Sequence, residues 1–500
     1  MLKFLKRNKS NSKFGNTKIP PSYLSSMADH LTQTNVIENE LYTKYNVKRG
    51  LRNSNGTGVI VGLTRIGEVK GYTTDAEKNK IPMPGQLFYR GYEIQDLVSN
   101  YQKENRFGFE EVSFLLLFGE LPTKDELTEF NRLVSEKREL PKDFTRDMIL
   151  TTPSKNLMNK LARAILGLYS FDENPDDIST ANILKQSINL IGSFPALVAY
   201  AYQAKVSAYN DESLIIHHPE SSLSTAENIL RMIRHNSAYT DFEAKILDTC
   251  LILHAEHGGG NNSSFATHLL SSSGTDTYSV IAAAIGSLKG PLHGGANISV
   301  LGMLQDLTSK ITDITDKDQV DAYLIKLLNK EVYDKKGLIY GMGHAIYTIS
   351  DPRATILKEM ARNLAEEKGL MDEYNLCSYI EERAPSIFEE VTGVSRPMCA
   401  NVDLYSGFVY RALNIPDDIA TPLFATARLS GWLAHRLEEV NAGKKLMRPA
   451  YVCVQDHKEY IPYLERKALG TTRALKQAQR EAKRRAILSS AENAANEQKL

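Results

Sequence analysis

The chain is poor in cysteine, and its few cysteines lie far apart. Cys250, Cys377, Cys399 and Cys453 are the only four in 500 residues, and no two of them form a CxxC pair. This spacing excludes a disulfide framework and a zinc site built from cysteine, and it is typical of a protein in a reducing compartment. We therefore expect a cytoplasmic protein.

The sequence also lacks an excess of charge of either sign. It contains 60 Lys and Arg against 60 Asp and Glu, so its formal net charge is zero. This balance argues against a partner such as nucleic acid, which is bound through bulk positive charge. The longest apolar stretch, residues 188–204, is interrupted by polar residues and is too short to span a bilayer. We predict a core helix there and no membrane partner.

Both ends of the chain are basic. The first twenty residues carry six Lys or Arg and no acid, without the apolar run of a secretory signal. We interpret residues 1–39 as a flexible extension. Residues 466–485 carry eight Lys or Arg and one acid, and they lack aromatic residues. This composition favours a solvated helical tail over 466–500 more than a patch that binds nucleic acid or membrane.

Helical periodicity dominates between these tails. Apolar residues recur at helical spacing over 157–168 and 320–328, and capping-box spacings begin at Thr123 and Ser224. The two best strand patterns are Val59–Val61 and Leu87–Tyr89. We predict an all-α fold class, mainly α with a small β element near residues 57–92.

Common catalytic motifs are missing, and the histidines lie in unusual strings instead. The chain has no P-loop, no GxGxxG after a strand, no HExxH and no GxSxG. In LHAEHGGGN, His254 and His257 are three residues apart and share one helix face. They could ligate a metal, but no third ligand has a characteristic spacing. One polar core histidine and one helix-terminal histidine are therefore favoured.

The second string, KGPLHGGAN, places His293 at a turn before a helical pattern. The positive end of a helix dipole disfavours an imidazolium ion there. A neutral imidazole at this place can donate a hydrogen bond to a developing oxyanion without titrating. The alternative is that the glycines only make a tight turn.

Two further strings place charged residues at helix starts. Asp351 suits an N-cap and Pro352 the first helical position, so Arg353 lies in a first turn, where the dipole disfavours a cation. Either Arg353 has an anionic partner or it is a surface arginine screened by solvent. In NVDLYSG, Asp403 is either a plain N-cap or a general base held at a helix start.

The order of these strings is more specific than any one of them. The chain contains, in sequence, HAEHGGGNNSSF, LKGPLHGGAN, GMGHAIYTISDPR, NVDLYSG and GWLAHRLE followed by KKLMRP. The set resembles the citrate synthase family, the Si-type enzymes. The similarity also covers LFYRGYEIQDL and EEVSFLLLFGELP, and it runs from about residue 40 to about residue 465.

The resemblance implies an acyltransferase that condenses acetyl-CoA with oxaloacetate and hydrolyses citryl-CoA to citrate and CoA, as in the tricarboxylic acid cycle. It implies that Asp403 is the base, that His293 donates to the enolate oxygen and that His344 polarises the oxaloacetate carbonyl. The residues that match oxaloacetate contacts of the family are His257, Arg353, Arg428 and Arg448. His254 then keeps a structural role, and neither a metal nor a permanently bound cofactor is required.

The family fold is a large helical domain with a smaller helical domain inserted in it. Matching positions give a large domain over 40–294 and 415–465 and a small domain over 295–414. The residues that match coenzyme A contacts are Leu292, Met342, Gly343 and Asn401. The resemblance also implies a homodimer in which Arg448 completes the neighbouring site.

Three other functions compete with this interpretation. A 2-methylcitrate synthase uses the same residues with propionyl-CoA, although the Tyr-Ser-Gly after Asp403 favours citrate. A metal hydrolase could use the histidine cluster. A non-catalytic scaffold is disfavoured because Asp403, His293 and His344 are all present.

Overall fold

A computed structural model describes residues 21–53, 56–75, 80–443 and 445–466. Its contacts divide the chain into two units, one formed by residues 1–63 with 449–500 and the other by Thr64–Arg448. The predicted helical tail lies almost entirely outside the described residues. Within Thr64–Arg448, the division into a large and a small domain stays a prediction.

The first unit has little regular structure in its described part. Its helices are α1, Pro21–Thr34, and α2, Asn39–Lys44, so the predicted flexible extension includes helix. The predicted strand at Val59–Val61 is wrong, because this segment belongs to no strand. Ile60 is 87% exposed, so this apolar run has no buried face to hold it in a sheet.

The second unit begins with a three-stranded antiparallel sheet in the order β1-β2-β3. Its strands are β1, Gly67–Thr74, β2, Lys80–Tyr89, and β3, Tyr92–Glu93. The predicted strand at Leu87–Tyr89 is confirmed, and both Leu87 and Tyr89 are fully buried. The sheet therefore lies in the predicted part of the chain, although the sequence analysis missed β1.

The other long regular elements of this unit are helices, which confirms the prediction of a mainly α fold. They are α3 Ile94–Lys103, α4 Phe109–Phe118, α5 Lys124–Glu136, α6 Leu157–Leu168, α7 Thr180–Tyr209, α8 Thr225–Ile233, α9 Asp241–His254, α10 Asn262–Ser271, α11 Thr277–Leu288, α12 Ala296–Lys310, α13 Lys317–Leu328, α14 Pro352–Lys368, α15 Met371–Thr392, α16 Val402–Ala412 and α17 Asp417–Glu438. The capping boxes at Thr123 and Ser224 are both formed. Within the described residues, no helix is long and apolar enough to cross a membrane.

Helix α17 lies at the centre of the core. It packs against α4, α7, α9 and α10, and the single tryptophan, Trp432, is fully buried on it. The apolar stretch 188–204 lies within α7 and is almost wholly buried, so the predicted core helix is confirmed. Burial on this scale requires polar groups on α17 to find partners, as Trp432 does through its indole N–H to Ser263 Oγ at 3.1 Å.

At Gly85, strand β2 contacts the segment that follows residue 344. The backbone N–H of Gly85 donates to the Ser350 carbonyl at 3.1 Å. A Cβ atom at this position would lie 2.2 Å from that carbonyl oxygen and 2.5 Å from the Tyr347 ring. Only glycine allows the two backbones to approach so closely.

We expect Gly85→Ala to destabilise the protein by about 1–3 kcal/mol, because the added methyl group overlaps backbone. Gly286→Ala is the matched control, since Gly286 lies in α11 with no atom within 4 Å of an added Cβ. The control should be neutral or stabilising by about 0.4–1 kcal/mol. The midpoint of urea unfolding measures both effects, and equal midpoints for the two variants would contradict the prediction.

Candidate active site

Backbone pairing brings the segment of His344 next to the start of α16. The N–H of Gly343 donates to the Cys399 carbonyl at 2.7 Å, and the N–H of Asn401 donates to the Gly341 carbonyl at 2.9 Å. The Asn401 side chain adds a bond to the Gly343 carbonyl at 2.9 Å. Three hydrogen bonds thus join two segments that lie about sixty residues apart.

Asp403 is the second residue of α16, and its carboxylate makes no hydrogen bond to any described residue. The N-cap of this helix is Asn401, whose side chain accepts from the Asp403 N–H at 3.0 Å. The interpretation of Asp403 as a plain N-cap is therefore wrong. Burial raises the pKa of the Asp403 carboxyl to about 6, although the nearby Arg353 acts in the opposite direction. Such a carboxylate can take up a proton near neutral pH.

His344 presents Nε2 as its donor nitrogen. Its Nδ1 accepts the backbone N–H groups of Ile346 and Tyr347 at 3.1 and 3.2 Å, so the ring proton is on Nε2. Burial, followed by the charge of Arg353, lowers the pKa of His344 to about 4. The ring also stacks on Tyr347, with centroids 4.7 Å apart. His344 is thus a neutral, fixed hydrogen-bond donor.

His293 presents the opposite nitrogen. The N–H of Ser263, in the first turn of α10, donates to His293 Nε2 at 3.2 Å, and Ser263 Oγ lies 2.8 Å from the same nitrogen. The ring proton is therefore on Nδ1. Burial, followed by the charge of Arg428, lowers the pKa of His293 to about 4. The neutral imidazole predicted before α12 is supported by this geometry.

His257 follows α9 and faces His344, with ring centroids 5.1 Å apart. Its Nε2 is buried without a hydrogen-bond partner. Burial, with the charge of Arg353, holds its pKa well below the usual range. A buried ring nitrogen without a partner is costly unless a ligand satisfies it. His254 differs, since its Nδ1 lies 2.7 Å from the Cys250 carbonyl within α9, as expected of a structural residue.

Arg353 is buried, so the interpretation of a screened surface arginine is wrong. Its anionic partner is the N-cap Asp351, which accepts from Nε at 3.0 Å and from Nη2 at 2.7 Å. Burial opposes the charge of Arg353, but Asp351 raises the pKa of its guanidinium above the usual value. Nη1 has no hydrogen bond among the described residues and is the donor left for a ligand.

Arg428 is fully buried on α17 without an ion pair to any described residue. Its Nε donates to the His254 carbonyl at 2.7 Å, and its guanidinium lies 4.8 Å from the centre of the Phe424 ring. Burial lowers the pKa of Arg428 to about 10, although Glu256 nearby acts in the opposite direction. A buried cation of this kind requires an anion, and a carboxylate would satisfy it.

The remaining predicted residues fall into two groups. Met342, Gly343 and Asn401 lie in the paired segments beside His344 and Asp403. Leu292 and Arg448 are exposed, and no hydrogen bond or ion pair links Arg448 to the other predicted residues among those that are described.

Three residues that position the site were missed by the sequence analysis. Ser263 fixes the tautomer of His293, and Tyr347 stacks on His344. The Tyr89 hydroxyl lies 3.0 Å from the carbonyls of Ile252 and Glu256 and so holds the end of α9. All three lie in strings quoted above, Ser263 in HAEHGGGNNSSF, Tyr347 in GMGHAIYTISDPR and Tyr89 in LFYRGYEIQDL, but nothing in the strings themselves assigned them a role.

The chain is similar to known proteins over most of its length. The family model "Citrate synthase, C-terminal domain" matches residues 54–450. The citrate synthase of Synechocystis sp. is 36% identical over 413 residues, which cover 82% of this chain and 92% of the relative. A 2-methylcitrate synthase of Corynebacterium glutamicum is 33% identical over 427 residues, with 84% and 98% covered.

Solved structures are also similar. The citrate synthase of Thermoplasma acidophilum, in a ternary complex with carboxymethyl coenzyme A and oxaloacetate, aligns with a TM-score of 0.69 at 25% identity. The alignment covers 84% of this chain and 99% of that one. The citrate synthase of Thermotoga maritima aligns with a TM-score of 0.65 at 30% identity and is covered completely.

We expect the His293 and His344 rings to be neutral at about pH 7 and to hold their protons on opposite nitrogens. Because their pKa values are lowered to about 4, both rings should stay neutral as the pH falls to about 5. Nitrogen-15 spectra of histidine-labelled protein distinguish Nδ1–H from Nε2–H, with exposed His457 as an internal reference. An imidazolium ion, or the same tautomer in both rings, at neutral pH would contradict the assignment.

Proposed function

The chain belongs to the citrate synthase family, and from this premise we propose that it joins acetyl-CoA to oxaloacetate and hydrolyses the citryl-CoA formed. The observation that carries the proposal is the pairing of the segment of His344 with the start of α16, which brings a neutral histidine next to the segment of a carboxylate of raised pKa. A second neutral histidine, His293, has the opposite tautomer and is included because it matches the family's strings. Enolate formation from a thioester needs one base and one donor, and attack on a ketone needs a second donor.

Asp403 is proposed as the base that removes a proton from the acetyl methyl group. With a pKa near 6, it is ionised at neutral pH and remains basic enough to accept a proton. Its side chain makes no hydrogen bond among the described residues, so no bond has to break first. Its place in the first turn of α16 also favours the ionised form before reaction.

The two histidines are proposed as the donors. His293 Nδ1–H would meet the enolate oxygen of acetyl-CoA, and His344 Nε2–H the carbonyl oxygen of oxaloacetate. Each ring is held from behind by backbone N–H groups, so its donor direction is set before substrate binds. Neutral rings can donate to a developing charge without giving up the proton, and no metal is needed for this step.

Oxaloacetate is a dianion, and the buried cations are proposed to receive it. Arg428 lacks a carboxylate partner among the described residues, and His257 Nε2 lacks any partner. Asp351 orients the Arg353 guanidinium through Nε and Nη2, which leaves the Nη1 N–H groups to donate to a substrate carboxylate. These three groups therefore support a carboxylate pocket beside His344.

The assignments for coenzyme A, domain closure and assembly rest on the family resemblance and on the exposure of the side chains around Arg448. We propose that Leu292, Met342, Gly343 and Asn401 contact coenzyme A, and that closure of the small domain, residues 295–414, assembles the site. Arg448 is proposed to enter the site of a second copy, because it is exposed and Leu446 and Tyr451 beside it are 63% and 95% exposed. A cytoplasmic homodimer is the assembly that we propose.

A 2-methylcitrate synthase is the second candidate, since one such relative matches 84% of the chain. The direct test is a steady-state comparison of acetyl-CoA and propionyl-CoA with oxaloacetate, in which release of free thiol is followed. Citrate synthesis predicts the larger kcat/KM with acetyl-CoA. A larger value with propionyl-CoA would favour the second candidate, and no thiol release with either would refute both.

We expect Asp403→Asn to lower kcat by about 10²–10⁴-fold with little change in oxaloacetate affinity, because it removes only the base. In the wild type, kcat/KM should fall about tenfold per pH unit below a pH of about 6, since protonated Asp403 cannot accept a proton. Asp318→Asn, at an exposed acid, is the control. A turnover above half of wild type in Asp403→Asn would refute the assignment.

We expect inactive Asp403→Asn and Arg448→Ala subunits to restore activity when they are mixed, because one site of each hybrid dimer is then intact. Random exchange should give about a quarter of wild-type activity. Each variant mixed with itself is the control, and sedimentation shows whether subunits exchange. Exchange without restored activity, or a fully active monomer, would show that Arg448 does not act across an interface.

A further inference from the structure

A buried row of carboxylates and histidines lies behind the proposed oxaloacetate pocket. Glu256 Oε2 is 3.0 Å from His435 Nε2, and His435 Nδ1 is 3.1 Å from His268 Nε2. His268 Nδ1 is in turn 2.8 Å from Glu439 Oε2. All four residues are buried, and the roles assigned above to the catalytic and substrate-binding residues use none of them.

The outer hydrogen bonds fix the protons on both rings. A carboxylate only accepts, so Glu256 requires a proton on His435 Nε2 and Glu439 requires one on His268 Nδ1. The two inner nitrogens, 3.1 Å apart, then direct lone pairs at each other. This contact is repulsive unless a cation lies between the rings or one ring takes a second proton.

Glu438 supplies a third donor at the same place. Its Oε2 is buried without a hydrogen-bond partner and lies 4.0 Å from His435 Nδ1. Its Oε1 accepts the backbone N–H of Arg65 at 2.7 Å, which fixes the carboxylate in place. One ligand atom each from His268, His435 and Glu438 lies within 4.8 Å of the other two.

The carboxylates of Glu438 and Glu439 place negative charge at this cluster that a cation would compensate. Among the described residues, no lysine or arginine forms an ion pair with Glu438 or Glu439. The buried Glu438 Oε2 has no hydrogen-bond partner. Such an atom is costly, and a divalent cation would compensate more of this charge than a single proton.

We propose that His268 Nε2, His435 Nδ1 and the Glu438 carboxylate bind one divalent transition-metal ion, with Zn²⁺ the ion that best suits two imidazoles and a carboxylate. Glu256 and Glu439 then orient the ligands, as carboxylates behind zinc-bound histidines do. The His435–Glu438 spacing of three residues places both ligands on one helix face.

Gly259 leaves room for a fourth ligand such as water. A Cβ atom at this position would lie 3.3 Å from His268 Nε2 and 3.7 Å from His435 Nδ1. The metal would join α10 to α17 and, through Glu256, to the residue before His257. Its role is structural, so it is independent of the chemistry proposed for the active site.

Cobalt and zinc titrations of the full-length protein test this proposal. After dialysis against dipicolinate, we expect the wild type to bind one equivalent of Co²⁺ with visible d–d absorption and to release it when Zn²⁺ is added. Zn²⁺ should also raise the wild-type unfolding temperature, because it binds only the folded state. His268→Gln and Glu438→Gln should bind Co²⁺ at least about 10–100-fold more weakly.

His457→Gln is the matched control, since His457 is exposed, and it should bind like the wild type. Equal cobalt affinity in the wild type and His268→Gln would overturn the proposal. So would a wild type that binds no Co²⁺ at saturating concentration, a result that would assign a shared proton to the two rings. The wild-type titration decides alone if the variants do not fold, and it does not depend on activity.

Discussion

The pairing of Gly341–Gly343 with Cys399–Asn401 is the contact on which the candidate site depends. It places a histidine and a carboxylate from distant parts of the sequence on adjoining backbone. Gly341 makes this possible, because its φ of 85° and its contact with Leu404 leave no space for a side chain. Without this pairing, His344 and Asp403 would lie on separate segments of the chain.

Burial of charge gives these groups their chemistry. The same loss of solvent raises the pKa of Asp403, lowers those of the histidines and leaves Arg428 in need of an anion. The protein tolerates this because one buried pair, Asp351 with Arg353, is compensated internally. Arg428 and His257 Nε2 lack compensation among the described residues, and a dianionic substrate would satisfy both. Uncompensated buried groups of this kind are common where proteins bind ligands.

Local rules predicted the features that depend on local contacts. The helix start at Asp351, the capping boxes and the core helix over 188–204 are confirmed because caps and periodicity act within a few residues. The errors involve long-range contacts. Val59–Val61 has strand composition but no partner strand, and the cap of α16 is Asn401 because pairing with Gly341 sets where that helix begins. Ser263 was missed because its contact with His293 joins residues thirty apart in the sequence. Tyr347 is only three residues from His344, and its stacking was missed although it is local.

The opposite tautomers of the two histidines limit which side chains could stand in for them. In an imidazole, Nδ1 lies about as far from Cβ as the amide nitrogen of asparagine, whereas Nε2 lies about as far as that of glutamine. An asparagine at position 293 would therefore keep a donor close to its present place, and a glutamine would do so at position 344. The same two amides exchanged between the positions would direct their donors short of, or beyond, the reacting oxygens. Two residues of one type thus have different sets of acceptable replacements.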